Sequence, residues 1–259
     1  MISEIGKTFK RLKKAGRKAF IPYIMAGDPS LDKTKESVLL FEQCGADIVE
    51  LGVPFSDPLA DGPTIQRASE RALKNGVTLR KAISHVKDIR QMTRIPIVLM
   101  TYFNPVFKYG VENFIKNAKL AGVDGVIIPD LPPDEAEDFI KLARGAALDT
   151  IFLLAPTSTE DRIKKVIKVS KGFIYYVSIT GITGTTLLLD GSMEVLISKI
   201  KRYTDKPVAV GFGVSTPEEA SAVARVSDGV IVGSAIVKKL YESPDELRSY
   251  IVSLREAIK

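Results

Sequence analysis

Residues 44–50, CGADIVE, form a turn that leads through an aspartate into a run of branched apolar residues. The same pattern recurs in AGVDGVI (121–127) and in VSDGVIV (226–232). A pattern that returns at distant positions indicates one supersecondary unit used several times in the chain. The repeat therefore predicts a ring of similar units.

Short runs rich in valine, isoleucine, leucine and aromatic residues occur at eight places, and each precedes an amphipathic segment long enough for a helix. The predicted strands are residues 19–25, 47–52, 96–101, 124–129, 149–154, 172–178, 206–212 and 228–233. Strands that alternate with helices, without hairpin signals, predict a parallel sheet. Eight such units in about 250 residues are typical of an α/β protein with a (βα)8 TIM barrel, and a doubly wound sheet is the alternative. The units after the second and sixth strands are longer than the others, which predicts insertions in loops on the C-terminal face.

The chain has 259 residues, of which 45% are hydrophobic, and no linker or change in composition divides it. We therefore expect residues 1–259 to form a single barrel domain. Before the first strand, Ile5, Phe9 and Leu12 recur at helical spacing, and basic residues occupy the other side. This pattern predicts an extra N-terminal helix that covers one end of the barrel and exposes a basic, solvated face. Binding of nucleic acid or a membrane is the alternative, but no motif for either accompanies the basic residues.

Composition excludes several other classes of protein. The net charge is only +6, and Cys44, the one cysteine, cannot support a disulfide framework. No apolar run reaches the ~18 residues of a membrane span, and the N-terminus lacks the apolar core of a signal peptide. We expect a cytoplasmic protein that binds neither nucleic acid nor membrane. The one histidine, His85, is expected on the surface of a helix, so a tightly bound metal is not predicted.

Residues 50–66, ELGVPFSDPLADGPTIQ, contain the strongest indication of chemistry. Glu50 lies near the end of an apolar strand, where a buried carboxylate is costly and usually has a function. Asp61 follows in a loop that three prolines restrict to few conformations. An edge-strand or salt-bridged glutamate is the alternative. The two carboxylates predict a site for proton transfer, assisted by Tyr175 on the sixth strand and Tyr102 after the third.

Glycine-rich segments follow the sixth, seventh and eighth predicted strands. They are SITGITG (178–184), GFG (211–213) and VGSAIV (232–237). In barrels, backbone N–H groups after the last strands and at the start of a short helix commonly bind phosphate. Gly184, Gly213, Gly233 and Ser234 are the expected binding residues, and simple tight turns are the alternative. Neither of the common nucleotide-binding motifs is present, so a nucleotide is not implied.

Six motifs, spread over essentially the full length of the chain, resemble the alpha subunits of tryptophan synthase. They are LGVPFSDPLADGPTIQ (51–66), MTYFNPV (100–106), PDLPPDE (129–135), YYVSITGITG (175–184), VGFGVSTPE (210–218) and VGSAIVK (232–238). The resemblance implies a (βα)8 barrel that cleaves indole-3-glycerol phosphate to indole and glyceraldehyde 3-phosphate in tryptophan biosynthesis. This retro-aldol reaction uses no metal or organic cofactor in the alpha subunit.

The resemblance also implies residue roles. Glu50 corresponds to the family's acid–base glutamate, Asp61 to its second catalytic aspartate, and Tyr175 to a tyrosine beside the reacting atoms. Thr183 corresponds to a residue of a lid over the substrate that contacts Asp61. The residues that correspond to phosphate binders are Gly184, Gly213, Gly233 and Ser234. Tyr23, Tyr102 and Asp130 occupy positions of the indole pocket or of signalling to the partner, and Tyr23 stands where some members carry phenylalanine.

The implied partner is a pyridoxal-phosphate-dependent beta subunit, which receives indole through a tunnel in an α2β2 assembly. Residues 54–58 and 104–107 are the expected docking surface on the C-terminal face. Two alternatives remain. A phosphate-binding barrel isomerase or prenyl transferase would share the glycine segments but has no need of residues 50–66. A catalytically silent phosphate-binding barrel that only regulates a partner enzyme need not keep Glu50, Asp61, Tyr175 or Thr183.

Overall fold

A computed structural model describes residues 2–177, 191–211 and 213–259. Within these ranges, nine parallel strand segments form one sheet. They are β1 Ala19–Met25, β2 Val49–Gly52, β3 Ile97–Met100, β4 Gly125–Ile127, β5 Asp149–Ile151, β6 Leu153–Leu154, β7 Ile174–Val177, β8 Val208–Gly211 and β9 Gly229–Val232. Each lies within one of the eight predicted strands, and the predicted fifth strand contains both β5 and β6.

The sheet is a barrel because its two edge segments are neighbours in the chain. Its order is β5-β4-β3-β2-β1-β9-β8-β7-β6, and only Phe152 separates β5 from β6. The carbonyl of Phe152 accepts a hydrogen bond of 3.1 Å from the N–H of Tyr175 in β7, so backbone pairing continues across the interruption. The predicted (βα)8 barrel is confirmed, and the doubly wound sheet is excluded.

Helices surround this barrel. They are α1 Glu4–Lys14, α2 Leu31–Gln43, α3 Pro63–Lys74, α4 Leu79–Ile89, α5 Phe103–Tyr109, α6 Val111–Ala121, α7 Glu137–Gly145, α8 Glu160–Val169, α9 Ser192–Lys201, α10 Pro217–Val226, α11 Ser234–Glu242 and α12 Leu247–Ala257. The unit after β2, which its length predicts to contain an insertion, has two helices, α3 and α4. The unit after β3 also has two helices, α5 and α6. In the part of the chain that the structure describes, every helix is too short or too polar to cross a membrane.

Helix α1 covers the N-terminal end of the barrel. Its residues Ile5, Phe9 and Leu12 are buried, and the ring of Phe9 lies 5.7 Å from the ring of Phe173, just before β7. The hydroxyl of Ser3 accepts the N–H of Gly6 at the start of the helix. The predicted N-terminal helix is confirmed, and it leaves open the opposite, C-terminal end of the barrel, where the predicted site residues lie.

The repeated sequence pattern corresponds to a repeated structural link. In each copy, the aspartate that precedes a strand accepts a hydrogen bond from the backbone N–H of the neighbouring strand. The pairs are Phe20 to Asp47 at 3.1 Å, Ile97 to Asp124 at 2.9 Å and Val208 to Asp228 at 2.8 Å. We call these three residues the strand-start aspartates. They join β1 to β2, β3 to β4 and β8 to β9 at the N-terminal end of the barrel.

Each strand-start aspartate also pairs with a cation. The partners are Arg11 and Arg255 for Asp47, Arg90 for Asp124, and Lys201 for Asp228. The side chains of Asp47 and Asp124 are only 5% and 13% exposed, and a carboxylate at such a position is costly without a partner, whereas Asp228 is 32% exposed. The charged network at this end is structural and is separated from the opposite face by the packed interior of the barrel.

The expected surface position of His85 is wrong. In α4 its side chain is buried, with 6% exposed. It lies three residues after Ala82 and four before Ile89, which are both buried, so it belongs to the apolar face of the helix. Burial lowers the pKa of His85, which is therefore neutral at pH 7.

Candidate active site

Glu50 points into the barrel from β2. It is paired in register with Tyr23 of β1 and Val98 of β3, and only 1% of it is exposed. Its Oε2 has no hydrogen-bond partner among the described residues. Burial, with a smaller contribution from the charge of Asp61, raises the pKa of Glu50 to about 8. Glu50 is thus a buried carboxylic acid that keeps its proton at pH 7.

Asp61 lies in the loop after β2, just before α3 begins at Pro63. Burial raises its pKa to about 6, although a hydrogen bond with the Tyr102 hydroxyl acts in the other direction. The same hydroxyl accepts the N–H of Ala60 at 3.0 Å, so Tyr102 holds the loop beside the carboxylate. At pH 7 Asp61 is therefore mostly ionised, while Glu50 is mostly neutral. Two carboxyl groups with separated pKa values are a common arrangement for acid–base catalysis.

Two buried tyrosines extend this site, and each depends on a glycine in a neighbouring strand. A Cβ atom on Gly52 would lie 2.1 Å from the Tyr23 hydroxyl, and one on Gly211 would lie 2.3 Å from the Tyr175 hydroxyl. Real Cβ atoms do not approach so closely, so only glycine leaves room for these hydroxyls. Burial, together with the charges of Asp61 and Glu50, raises the pKa of both tyrosines. They are therefore neutral hydroxyls at the mouth of the barrel.

The predicted phosphate residues that the structure describes follow β8 and β9. Gly213 has a φ of +82°, a left-handed conformation that favours glycine. Gly233 is the N-cap of α11, which begins at Ser234 without a side-chain cap. Among the described residues, no side chain caps the first N–H groups of α11, which suits an anion. A Cβ atom on Gly233 would lie 3.5 Å from Cβ of Tyr23, so the predicted anion-binding residues adjoin the tyrosine-lined mouth.

The structure thus brings Glu50, Asp61, Tyr23, Tyr102 and Tyr175 together, as the electrostatic influence of the carboxylates on the tyrosines shows. Thr183 and Gly184, and the lid expected around them, lie outside the described residues. Sequence reasoning missed the roles of Gly52 and Gly211, because the space that they provide depends on which residues face each other across strands. Asp130 accepts the N–H of Phe103 at the start of α5, at 2.9 Å.

In the described ranges 2–177, 191–211 and 213–259, no group of three or more histidine, cysteine, aspartate or glutamate side chains is arranged to hold a metal ion. The chemical groups that the site offers are two carboxyls, three tyrosine hydroxyls and a set of backbone N–H groups. Such a site can move protons on a substrate and bind its anionic end.

Comparisons with known proteins agree on one family. A family model described as "Tryptophan synthase alpha chain" matches residues 9–259. Proteins of that name from Geotalea uraniireducens and Geobacter sulfurreducens are 51% and 50% identical to this chain; the alignments cover 100% and 99% of this chain and 98% and 99% of those proteins. A structure of Mycobacterium tuberculosis tryptophan synthase superimposes with a TM-score of 0.94 at 38% identity, over 100% of this chain and 99% of that one. A crystal structure of the alpha subunit from Legionella pneumophila gives a TM-score of 0.91 at 35% identity, over 100% and 99%.

Proposed function

This chain belongs to the tryptophan synthase alpha chain family, and we propose that Glu50 and Asp61 carry out its reaction. The enzyme is a lyase that cleaves indole-3-glycerol phosphate to indole and glyceraldehyde 3-phosphate. The observation that carries the assignment of residues is the neutral, buried Glu50 beside an ionised Asp61.

Proton transfers by one carboxyl group account for the cleavage. Glu50 begins protonated and gives its proton to C3 of the indole ring, which leaves a positive charge on the ring nitrogen. The Glu50 carboxylate then takes the proton of the side-chain hydroxyl next to the ring. That carbon becomes the aldehyde as its bond to C3 breaks, and the bonding electrons return to the ring to form neutral indole. Glu50 ends protonated again, so the cycle balances.

Asp61 supplies the charge that the intermediate needs. An ionised carboxylate near the ring nitrogen stabilises the positive charge that develops there. Tyr175 and Tyr102 orient the two carboxyl groups, and Tyr23 lines the indole pocket. We propose that the N–H groups of Gly213, Gly233 and Ser234 bind the phosphate, with Thr183 and Gly184 completing the site over the substrate.

Incubation of the purified chain with indole-3-glycerol phosphate, followed by detection of indole, tests this function directly. Release of indole by the chain alone supports it. A catalytically silent barrel, which only binds phosphate and regulates a partner, would release none. Oε2 of Glu50 is buried and has no hydrogen-bond partner in the described part of the chain, which argues against that alternative, because a silent protein gains nothing from the cost of burying it.

The pH dependence of kcat/KM should be bell-shaped. Asp61 must be ionised, so activity falls below about pH 6, where its carboxyl gains a proton. Glu50 must be protonated, so activity falls above about pH 8, where it loses its proton. The two limbs belong to an interacting pair of groups. Measurement between pH 5 and pH 10 checks this, and a rate that rises steadily to pH 10 would contradict the role of a protonated Glu50.

The family name implies a beta chain as partner. We propose that this partner depends on pyridoxal phosphate, assembles with the chain as α2β2 and receives indole through a tunnel. Apolar side chains at the mouth support a docking surface: Leu59 in the loop of Asp61 is 85% exposed, and Phe107 in α5 is 68% exposed. Large exposed apolar residues beside a site are typical of surfaces that a partner covers. Because the loop that carries Asp61 faces the partner, docking should raise the cleavage rate.

Replacement of Phe107 by aspartate should weaken this assembly. A charge in an apolar contact is costly, so the variant Phe107→Asp should bind a beta chain at least ~10-fold more weakly, a difference of ~1.4 kcal/mol. Its own cleavage rate, without partner, should stay unchanged. The matched control is Met92→Asp, which alters a residue that is 61% exposed and lies after α4. Each variant is titrated with a beta chain, and complex formation is followed by the size of the particles and by the rate of indole formation. If both variants bind the beta chain equally well, Phe107 does not belong to the interface.

We further propose that the 259 residues act as one domain and work in the cytoplasm. One continuous sheet that includes segments from β1 to β9 supports the single domain. A biosynthetic role, in which the product passes to another enzyme, supports the location.

A further inference from the structure

The loop between Glu50 and Asp61 is held to helix α3 by one buried serine. Ser69 has 2% of its surface exposed, and its hydroxyl bonds to both backbone groups of Phe55. It accepts the N–H of Phe55 at 2.9 Å and donates to the carbonyl of Phe55 at 2.9 Å. A single hydroxyl can do both, since it has one proton and two lone pairs. The first part of the loop is thereby fixed to α3.

The other end of the loop is fixed by Tyr102, which also packs against Phe55. The ring of Phe55 lies 5.3 Å from the ring of Tyr102, tilted by 32°. The Tyr102 hydroxyl bonds to the N–H of Ala60 and to the carboxylate of Asp61. A chain of contacts therefore runs from Ser69 through Phe55 and Tyr102 to Asp61.

Serine is an unfavourable choice for this helix position unless its hydroxyl is needed. Alanine is a better helix former, and a buried hydroxyl is costly without partners. The neighbouring positions on the same buried face of α3 are Ile65, Ala68 and Ala72, which are apolar. The two hydrogen bonds to Phe55 are thus what Ser69 contributes.

We propose that Ser69 is a positioning residue for the cleavage reaction: its bonds to Phe55 set where the loop places Asp61 relative to Glu50. The inference rests on the proposed function and deepens it. Ser69 acts on Asp61 through Phe55 and Tyr102. It does not act on the residues proposed to bind phosphate, because those follow β8 and β9 in other loops. Its removal should therefore affect the chemical step and leave substrate binding largely intact.

The variant Ser69→Ala tests this. We expect kcat to fall ~10- to 100-fold, because small displacements of a catalytic group have effects of that size. KM should stay within about threefold, since interactions that act only in the transition state change kcat. The alkaline limb of the pH profile should also move to lower pH, because the charge of Asp61 contributes to the high pKa of Glu50. Ser69→Thr, which keeps the hydroxyl, should restore most of kcat.

Ser227→Ala is the matched control. Ser227 is 1% exposed, and its hydroxyl lies 2.9 Å from the Val223 carbonyl and 3.0 Å from that of Gly229, at the opposite end of the barrel. The variant Ser227→Ala should lose about as much thermal stability as Ser69→Ala and keep the wild-type kcat. If Ser69→Ala does not fold, Ser69→Cys, which has a similar but slightly larger side chain and a weaker donor, serves for the same comparison.

Each outcome decides the matter. Equal kcat values for the Ser69 and Ser227 variants would overturn the positioning role and leave the proposed function intact. A fall in kcat that Ser69→Thr does not reverse would also overturn it, because the hydroxyl would not be the cause. A wild-type chain that releases no indole would overturn the proposed function and this inference with it.

Discussion

The variant Glu50→Gln should lose nearly all cleavage of indole-3-glycerol phosphate and keep its fold. Glutamine has almost the same shape as protonated glutamate, but it can neither give a proton to the ring nor take one from the hydroxyl. General acid–base catalysis contributes ~10²- to 10⁴-fold, and here one group serves both steps. Indole release under saturating substrate measures the loss. More than about a tenth of wild-type activity would remove Glu50 from the mechanism.

The same variant should be more stable than the wild type at alkaline pH. The pKa of Glu50 is raised from 4.5 to about 8 in the folded protein. Between pH 4.5 and about pH 8, the unfolded chain has released this proton while the folded chain retains it. The free energy of unfolding of the wild type therefore falls as the pH rises from 4.5 to about 8. Glutamine does not titrate, and the variant escapes a loss that amounts to a few kcal/mol. Melting temperatures of the variant and the wild type at pH 5 and pH 8 check this. A variant that melts no higher than the wild type at pH 8 would contradict the raised pKa of Glu50.

Gly52→Ala should have the second largest effect. The new methyl group would lie 2.1 Å from the hydroxyl oxygen of Tyr23 and 2.6 Å from its Cζ. The Tyr23 ring must therefore move, and it lies between the strand of Glu50 and the backbone of Gly233. We expect activity to fall at least ~10²-fold and stability by ~1–3 kcal/mol, because overpacked interiors displace both side chains and backbone. Indole release and thermal unfolding measure the two effects.

Two further variants give this prediction its controls. In Gly145→Ala, at the end of α7, the new methyl group meets no atom of the described residues within 4 Å, so this variant should keep its activity and lose no stability. Tyr23→Leu removes the atoms that clash, so the double variant Gly52→Ala/Tyr23→Leu should recover stability more fully than activity. If Gly52→Ala alone kept half of its activity, the tyrosine would not be confined as the structure indicates.

Strand positions were predictable because buried parallel strands are short, apolar and bounded by turns. Ala19–Met25 is the same in sequence and structure, and each other segment lies inside its predicted range. The interruption at Phe152 was not predictable, since an apolar residue gives no sign of broken pairing. The separate helix Phe103–Tyr109 was not predicted; Pro105 lies in its first turn, where a helix tolerates proline. The expected surface position of His85 was wrong, although its spacing of three residues from Ala82 and four from Ile89 places it on the apolar face of the helix.

The candidate site was predictable in part. Glu50 and Asp61 could be identified because charged residues in apolar or proline-rich surroundings are unusual. The bond between Tyr102 and Asp61, and the contacts of Gly52 with Tyr23, join different units of the barrel. Sequence spacing says nothing about such contacts, because they arise only when the strands are placed in register. Ser69 gave no signal at all, as a lone serine in a helix is common.

The strand-start aspartates bear on how such a barrel can be inherited and rebuilt. For Asp124 and Asp228, Arg90 precedes Ile97 by seven residues and Lys201 precedes Val208 by seven, so cation, strand and aspartate are encoded together in one segment of two units. Asp47 differs, because its cations, Arg11 and Arg255, lie near the two ends of the chain. Duplication of such a gene segment copies the complete link and needs no matching change elsewhere. The loops at the other end of the same units remain free to diverge. One scaffold can in this way acquire new reactions while the aspartate–cation links between its strands are inherited unchanged.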